Sequence, residues 1–443
     1  TGETPAPLSE LSTGIFAFPR GAKAGTCLHK ILEKVEFTLW NQPAAADLIR
    51  EQLRAHGLLV AEFTNTPYIE IAKAFGEKTK RMPEVQAARL AVKAVKSLLD
   101  EYLPYFSSKS INVGCDEPFD VGQGKNKELV DKVGRGRVYL DFVKKIYDEV
   151  TARGRKTQIW GDIIIEYPDL IPELPGDITV MEWGYEATHP FDEHGAHFAK
   201  AGLQYYVCPG TASWNSIAGR TENALGNLIN AAENGMKHGA TGYLNTDWGD
   251  NGHWQTLPVS YLGFAMGAAY SWDLKTNRKL DVKRAVSLHA FEDPTGALGE
   301  VAYDLGNVYL SPGIVPPNSS WLFWVLQWPL DEVRKVMNGL NIEMLDQIWK
   351  SIDDAISPLK KAHSSRPDSD LIHQEFRLAE RMLRHAVMRA RLAAGREDIK
   401  PAALYVDMKA IIDEYKSIWL QRNRPGGLRD SVARLEKARS DYA

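Results

Sequence analysis

Short apolar runs ending in polar or acidic residues alternate, through the first 250 or so positions, with stretches whose apolar residues recur at helical spacing. The runs at 14–20, 35–40, 58–65, 110–115, 157–162, 177–184, 203–210 and 242–250 read as strands. The fourth, in SINVGCDEPFD, stops at Asp116 and Glu117, because Pro118 cannot continue a ladder. Between the runs, 44–56 has Pro43 before it and Gly57 after it, a helix with a start and a stop. The stretch 83–106 places Val85, Leu90, Val92, Val95, Leu98, Leu99 and Leu103 three or four apart, and 136–154, 191–202 and 221–238 repeat the helical signal. Eight strand–helix units over roughly 270 residues predict an α/β fold, a (β/α)8 TIM-type barrel. An open doubly wound sheet is the alternative, but no Gly-rich phosphate loop follows an early strand.

From about residue 281 the strand pattern stops and one amphipathic segment follows another, which predicts a mostly helical C-terminal domain. Leu371, Phe376, Leu378 and Met382 are expected to pack its core. The division expected is therefore a catalytic barrel over 1–278, with short and irregular first units, and a helical domain over 279–443. That second part is a candidate for capping a pocket or for making a homo-oligomer.

Charge changes this picture little. The net charge is −4 with 25% charged residues, so neither nucleic acid nor an anionic membrane is the expected partner. No run of about 18 apolar residues occurs. The three cysteines, Cys27, Cys115 and Cys208, are far apart and odd in number, which predicts reduced thiols and a cytoplasmic protein. Since the first residue is Thr1, a processed start is compatible with the sequence.

Composition does matter in one respect: there are 12 tryptophans, and several fall where the predicted strands end. In a barrel those ends face the substrate. Trp160 precedes Asp162, Trp183 follows Glu182, Trp214 precedes Asn215, and Trp248 lies between Asp247 and Asp250. Aromatic faces beside carboxylates and amides suit a pocket that stacks on a sugar ring and grips its hydroxyls. His189, His194 and His197, with Asp192 or Glu193, match no tight ligand pattern, so neither a metal nor another cofactor is expected. Cys115 and Cys208 have no positioned base beside them in sequence.

The segment NVGCDE after a strand, followed by GRVYLDF, IWGDII, MEWGYE, YYVCPGTASWNS and TDWGDNGHWQ, resembles glycoside hydrolase family 20, the β-N-acetylhexosaminidases, in one bacterial branch. The resemblance covers about 83–318. It implies an exo-acting hydrolase that removes terminal N-acetylglucosamine or N-acetylgalactosamine with retention, the substrate's own 2-acetamido oxygen acting as nucleophile. Glu117 would then be the general acid and base, with its pKa raised by burial and by its anionic neighbour. Asp116 would accept the acetamide N–H and stabilise the oxazolinium ion. By the same resemblance Trp160, Trp183, Trp214 and Trp248 would line the pocket, Tyr206 would donate to the acetamido oxygen, and Asp250 with Asn215 would bind outer hydroxyls. Arg20 is the one position matching the family's hydroxyl-binding arginine. Two rivals stay open: a two-carboxylate glycosidase using Glu117 and Glu182, and a non-catalytic sugar-binding barrel.

Overall fold

A computed structural model describes residues 84–337 and 341–443. The described residues fall into two compact units, divided between Thr179 and Val180.

In the first unit the helix Glu84–Tyr102 runs into a turn and then into β1, Ser110–Asn112. The helix Arg135–Thr151 follows, and its buried positions Tyr139, Leu140, Val143, Ile146 and Val150 fall three or four apart, so one stripe faces inward. β2, Lys156–Trp160, pairs in parallel with β1, Ile111 opposite Thr157. Leu99, Leu103, Ile146 and Val150 form a small core, against which Ile111, Val113 and Cys115 pack. Gly136 has a structural reason: a Cβ there would lie 2.5 Å from the Tyr167 ring.

The second unit takes up all but the first residue of β3, Thr179–Trp183, whose residues are buried up to Glu182. β4, Gln204–Cys208, pairs in parallel with β5, Gly242–Tyr243. The helices Phe191–Lys200 and Thr221–Lys237 cover these strands. Helices then continue to the C-terminus, including Ser369–Ala393, Pro401–Arg422 and Leu428–Ser440. Phe376, Leu378 and Met382 are in the shared apolar core and Leu371 packs on it, as expected of a helical C-terminal part. A buried Arg389 ties helix ends together, donating to the carbonyls of Val325 and Ala438 at 2.9 and 3.0 Å and to the Tyr442 hydroxyl at 2.8 Å.

The expected eight-stranded barrel is corrected here: the described residues contain five strands, not eight. The runs at 14–20, 35–40 and 58–65, which the count of eight requires, lie outside the described residues. The last strand is also far shorter than the apolar run suggests. β5 proper is Gly242–Tyr243, but backbone pairing runs on to Thr246, which forms a parallel bridge with Gly210: the Leu244 amide donates to the Val207 carbonyl at 2.9 Å and the Thr246 amide to the Pro209 carbonyl at 2.8 Å, and only then does Asp247 turn to Thr211 at 2.6 Å and Ser213 at 2.5 Å. Parallel pairing is seen within each unit, β1 with β2 and β4 with β5, and five strands fall short of the eight that close a barrel of this kind.

Candidate active site

The acidic pair stands on a turn that the sequence builds deliberately. Asn112 ends β1, and its side-chain oxygen accepts the Gly114 amide at 2.7 Å, an Asx turn that takes the chain out of the strand. Gly114, Cys115 and Glu117 all have positive φ, at 76, 71 and 45°. The last two carry side chains, for which this backbone costs on the order of 1–3 kcal/mol each unless surroundings hold it. Three contacts do so. The Cys115 carbonyl accepts the Tyr139 hydroxyl at 2.9 Å, the Glu117 amide donates to the Asp162 carboxylate at 3.1 Å, and the Trp160 amide donates to the Gly114 carbonyl at 3.1 Å. Asp162, two residues past β2, is thus a brace for the turn.

Asp116 and Glu117 are both exposed. The burial expected around Glu117 is not supplied by the described residues, and the pair is displayed rather than enclosed. Cys115 beside them is inert: burial, reinforced by the charges of Asp116 and Asp162, pushes its thiol up to about 12. Burial, with a further push from Glu182, also raises the Cys208 thiol well above its usual range. Neither thiol is a nucleophile at neutral pH. Trp160 closes β2 half-exposed, next to the fully buried Ile159.

In the second unit the aromatic residues converge on one that sequence reasoning missed, Tyr185. Its ring stacks on Trp183 with centroids 5.2 Å apart and meets Trp214 edge-on at 4.8 Å, and its hydroxyl accepts from the Trp248 indole at 2.8 Å. The signal was available, since 183 and 185 share a face wherever a strand-like alternation continues. Trp248 is 38% exposed and offers a face to solvent. Trp214 is buried, and any Cβ on Gly210 would lie 2.4 Å from its ring, so it is a wall behind Tyr185. Tyr206 is half-buried over Gly242, while its neighbour Tyr205 is buried against Phe198.

Asn215 is buried in a left-handed conformation, and its side-chain oxygen accepts from Asn251 at 3.0 Å. Burial raises the Asp250 carboxyl above its usual range, against a hydrogen bond from Asn215 that favours the charged form. Asn215 and Asp250 are therefore brought together, as a positioned amide–carboxylate pair. Arg20 lies outside the described residues.

Glu182 does something other than the expected rival role. It is buried at the end of β3, and its Oε1 faces His189 Nε2 at 2.9 Å and His194 Nδ1 at 2.5 Å. Burial disfavours the carboxylate, yet hydrogen bonds from the two imidazoles hold its pKa below the usual value. Burial likewise opposes charge on His194, but Glu182 raises its pKa. The three side chains are the group among the described residues whose ligand atoms could hold a metal, all lying within 4.8 Å of one another. Sequence spacing set the histidines aside because the third member comes from a strand and not from their own segment.

A cavity of about 100 Å³ lies elsewhere in this unit, lined by residues that include Asp247, His253, Gln255, Glu375, Tyr415 and Trp419, and by none of the aromatic cluster around Tyr185.

No protein-family model matches the chain. No curated protein matches it either. Among solved structures it is similar to the Flavobacterium johnsoniae chitobiase FjGH20, at 13% identity and a TM-score of 0.35, over 78% of this chain and 58% of that one. It is also similar to a GH138 enzyme targeting pectin rhamnogalacturonan II, at 12% identity and a TM-score of 0.40, over 94% of this chain and 56% of that one. Both neighbours are glycoside hydrolases, and this chain spans less than two thirds of the length of either.

Proposed function

We propose that the protein is a glycoside hydrolase acting on sugars with a terminal 2-acetamido group, by substrate-assisted catalysis. The observation that carries this reading is the acid turn: two adjacent exposed carboxylates, Asp116 and Glu117, held at the end of a parallel strand on a strained backbone with its own carboxylate brace, Asp162. Strain maintained by dedicated contacts at exposed acids is typical of functional sites.

In this reading Glu117 gives its proton to the glycosidic oxygen and later takes one from water. Asp116 accepts the acetamide N–H, aligning its carbonyl with the anomeric carbon and offsetting the positive charge of the oxazolinium ion. For a sugar, the first unit offers Trp160 as a stacking face, and the second offers Trp183 and Trp248 as stacking faces, Tyr206 as a hydroxyl donor, and Asp250 with Asn215 as partners for hydroxyls. Trp214 acts from behind, by fixing Tyr185. A carboxylate nucleophile is the weaker reading, because Glu182 is buried and already engaged by two histidines.

The test is turnover of a chromogenic N-acetyl-β-glucosaminide together with inhibition by a thiazoline mimic of the oxazolinium ion. Turnover blocked by the mimic supports the proposal. Folded protein that neither turns over the substrate nor binds the mimic would sink it, and binding of the sugar without turnover would make it a non-catalytic sugar binder.

A further inference from the structure

We propose that Glu182, His189 and His194 form a binding site for a divalent first-row transition metal, zinc in the first instance, that staples β3 to the helix Phe191–Lys200. The donor set is one carboxylate and two imidazoles, a combination zinc takes at about 2.0–2.2 Å per bond with a fourth position left for water. At those bond lengths tetrahedral ligands sit about 3.3 Å apart. The two imidazole nitrogens already lie 2.9 and 2.5 Å from Glu182 Oε1, so each of these two contacts opens by less than about an ångström to admit an ion, and all three ligand atoms lie within 4.8 Å of one another.

Two further observations point to a ligand rather than to a closed hydrogen-bonded cluster. Glu182 Oε2 is buried and has no hydrogen-bond partner among the described residues, although buried carboxylate oxygens are almost always satisfied. Tyr205, which lies close enough to feel the Glu182 charge, also has a buried hydroxyl without a partner there. The histidine side chains keep about a fifth of their surface exposed, 19% and 20%, whereas Glu182 keeps 2%, which gives an ion a way in from the imidazole side.

Local structure is shaped to bring the three together. A Cβ on Gly184 would fall 2.1 Å from the His189 ring, so only glycine lets that imidazole fold back over the strand end. The His189 amide donates to the Glu186 carbonyl at 2.9 Å, closing the turn, and Pro190 then opens the helix that carries His194. The site lies within the second unit and does not depend on the carbohydrate reading. A water bridging Glu182 and Tyr205 is the competing explanation of the unpaired oxygens.

The experiment uses the whole chain stripped of metal with a chelator and titrated with Zn²⁺ alone by calorimetry, and with Co²⁺ followed by visible absorption. One equivalent of zinc should bind, and cobalt should show the intense bands of a four-coordinate ion. His189→Gln and His194→Gln, each checked for folding by circular dichroism, should weaken zinc by about tenfold or more, the least that loss of a ligand or its support costs. Zinc should raise the thermal midpoint of the wild type and not of these variants. Absence of stoichiometric binding by the wild type overturns the proposal, and leaves the water bridge. Equal affinity and an identical cobalt spectrum in a folded variant also overturn it, by placing the ion on other histidines.

Discussion

Asp162 is the residue whose loss should reveal how the acid turn is held. Its carboxylate accepts the Glu117 amide at 3.1 Å and is the acidic brace on a residue at φ 45°. A hydrogen bond to a charged group contributes about 1.5–3 kcal/mol when shielded, and here water can replace part of it, leaving roughly 1–1.5 kcal/mol. Glu117 spends a comparable amount, about 1–3 kcal/mol, in being left-handed at all. The brace therefore about offsets the strain, and removing it tips the turn toward relaxed forms by that roughly 1–1.5 kcal/mol. Because about 1.4 kcal/mol is a factor of ten in rate, Asp162→Ala should lower kcat on an aryl N-acetyl-β-glucosaminide by about five- to tenfold. KM should change little, since Glu117 is asked to act on the leaving oxygen and not to hold the sugar. Asp162→Asn keeps an acceptor oxygen and should lose less. Steady-state kinetics on the three proteins, with urea denaturation to control for stability, decides it. Asp162→Ala with wild-type kcat would refute the idea that the brace positions Glu117.

Two predictions concern the scaffold. Gly136→Ala places a methyl group 2.5 Å from the Tyr167 ring; the gain in helix propensity, about 1 kcal/mol, is smaller than an overpacking cost of about 1–3 kcal/mol, so urea denaturation should show a loss. In a Tyr167→Ala background the same substitution should become neutral or stabilising, and an unchanged loss there would contradict the steric cause. His385, buried in the helical part, faces Asp407 at 2.7 Å through Nδ1 and the Tyr442 hydroxyl at 2.8 Å through Nε2, while Arg389 donates to that same hydroxyl. This arrangement suits a neutral ring, and burial, helped by Arg389 and Arg381, lowers its pKa despite the pull of Asp407. Its folded pKa lies below its unfolded one, so its stabilisation is complete above about pH 6.5 and is lost as pH falls from there through the folded value. The urea midpoint should drop between pH 7 and 5, and less steeply in His385→Gln; equal slopes would remove His385 as the cause.

Much of the local structure was legible because it rests on local signals. The strand expected at 157–162 is Lys156–Trp160, that at 203–210 is Gln204–Cys208, and the helix expected at 221–238 is Thr221–Lys237. Runs such as TVMEW, buried through Glu182, declare themselves by continuous burial, and helices by their stripe. The count of eight is corrected to five strands among the described residues; each of the five runs expected there is a strand, and the other three runs lie outside them. TDWGD reads as the end of a strand, and backbone pairing does reach Thr246, bridged to Gly210, after which Asp247 is claimed by Thr211 and Ser213.

The site was legible only in part. Asp116 and Glu117 were visible because Pro118 marks the end of their strand. The left-handed run through Cys115 and Glu117 was not, since nothing in those residue types announces a positive φ. Tyr185 was hidden by the more conspicuous tryptophans on either side. Glu182 was offered as a nucleophile because its histidine partners, at 189 and 194, come from the next element and only the fold brings them back.

The claim that matters most is that the nucleophile arrives on the substrate, and the ratio of kcat/KM for 2-acetamido and 2-hydroxy aryl β-glucosides tests it directly. The wild type should strongly prefer the acetamido sugar, and Asp116→Asn, which withdraws the carboxylate that aligns and stabilises the acetamide, should lose most of that preference while still binding the sugar. A wild-type enzyme that cleaves the 2-hydroxy glucoside equally fast, or an Asp116→Asn variant with the preference intact, would contradict it.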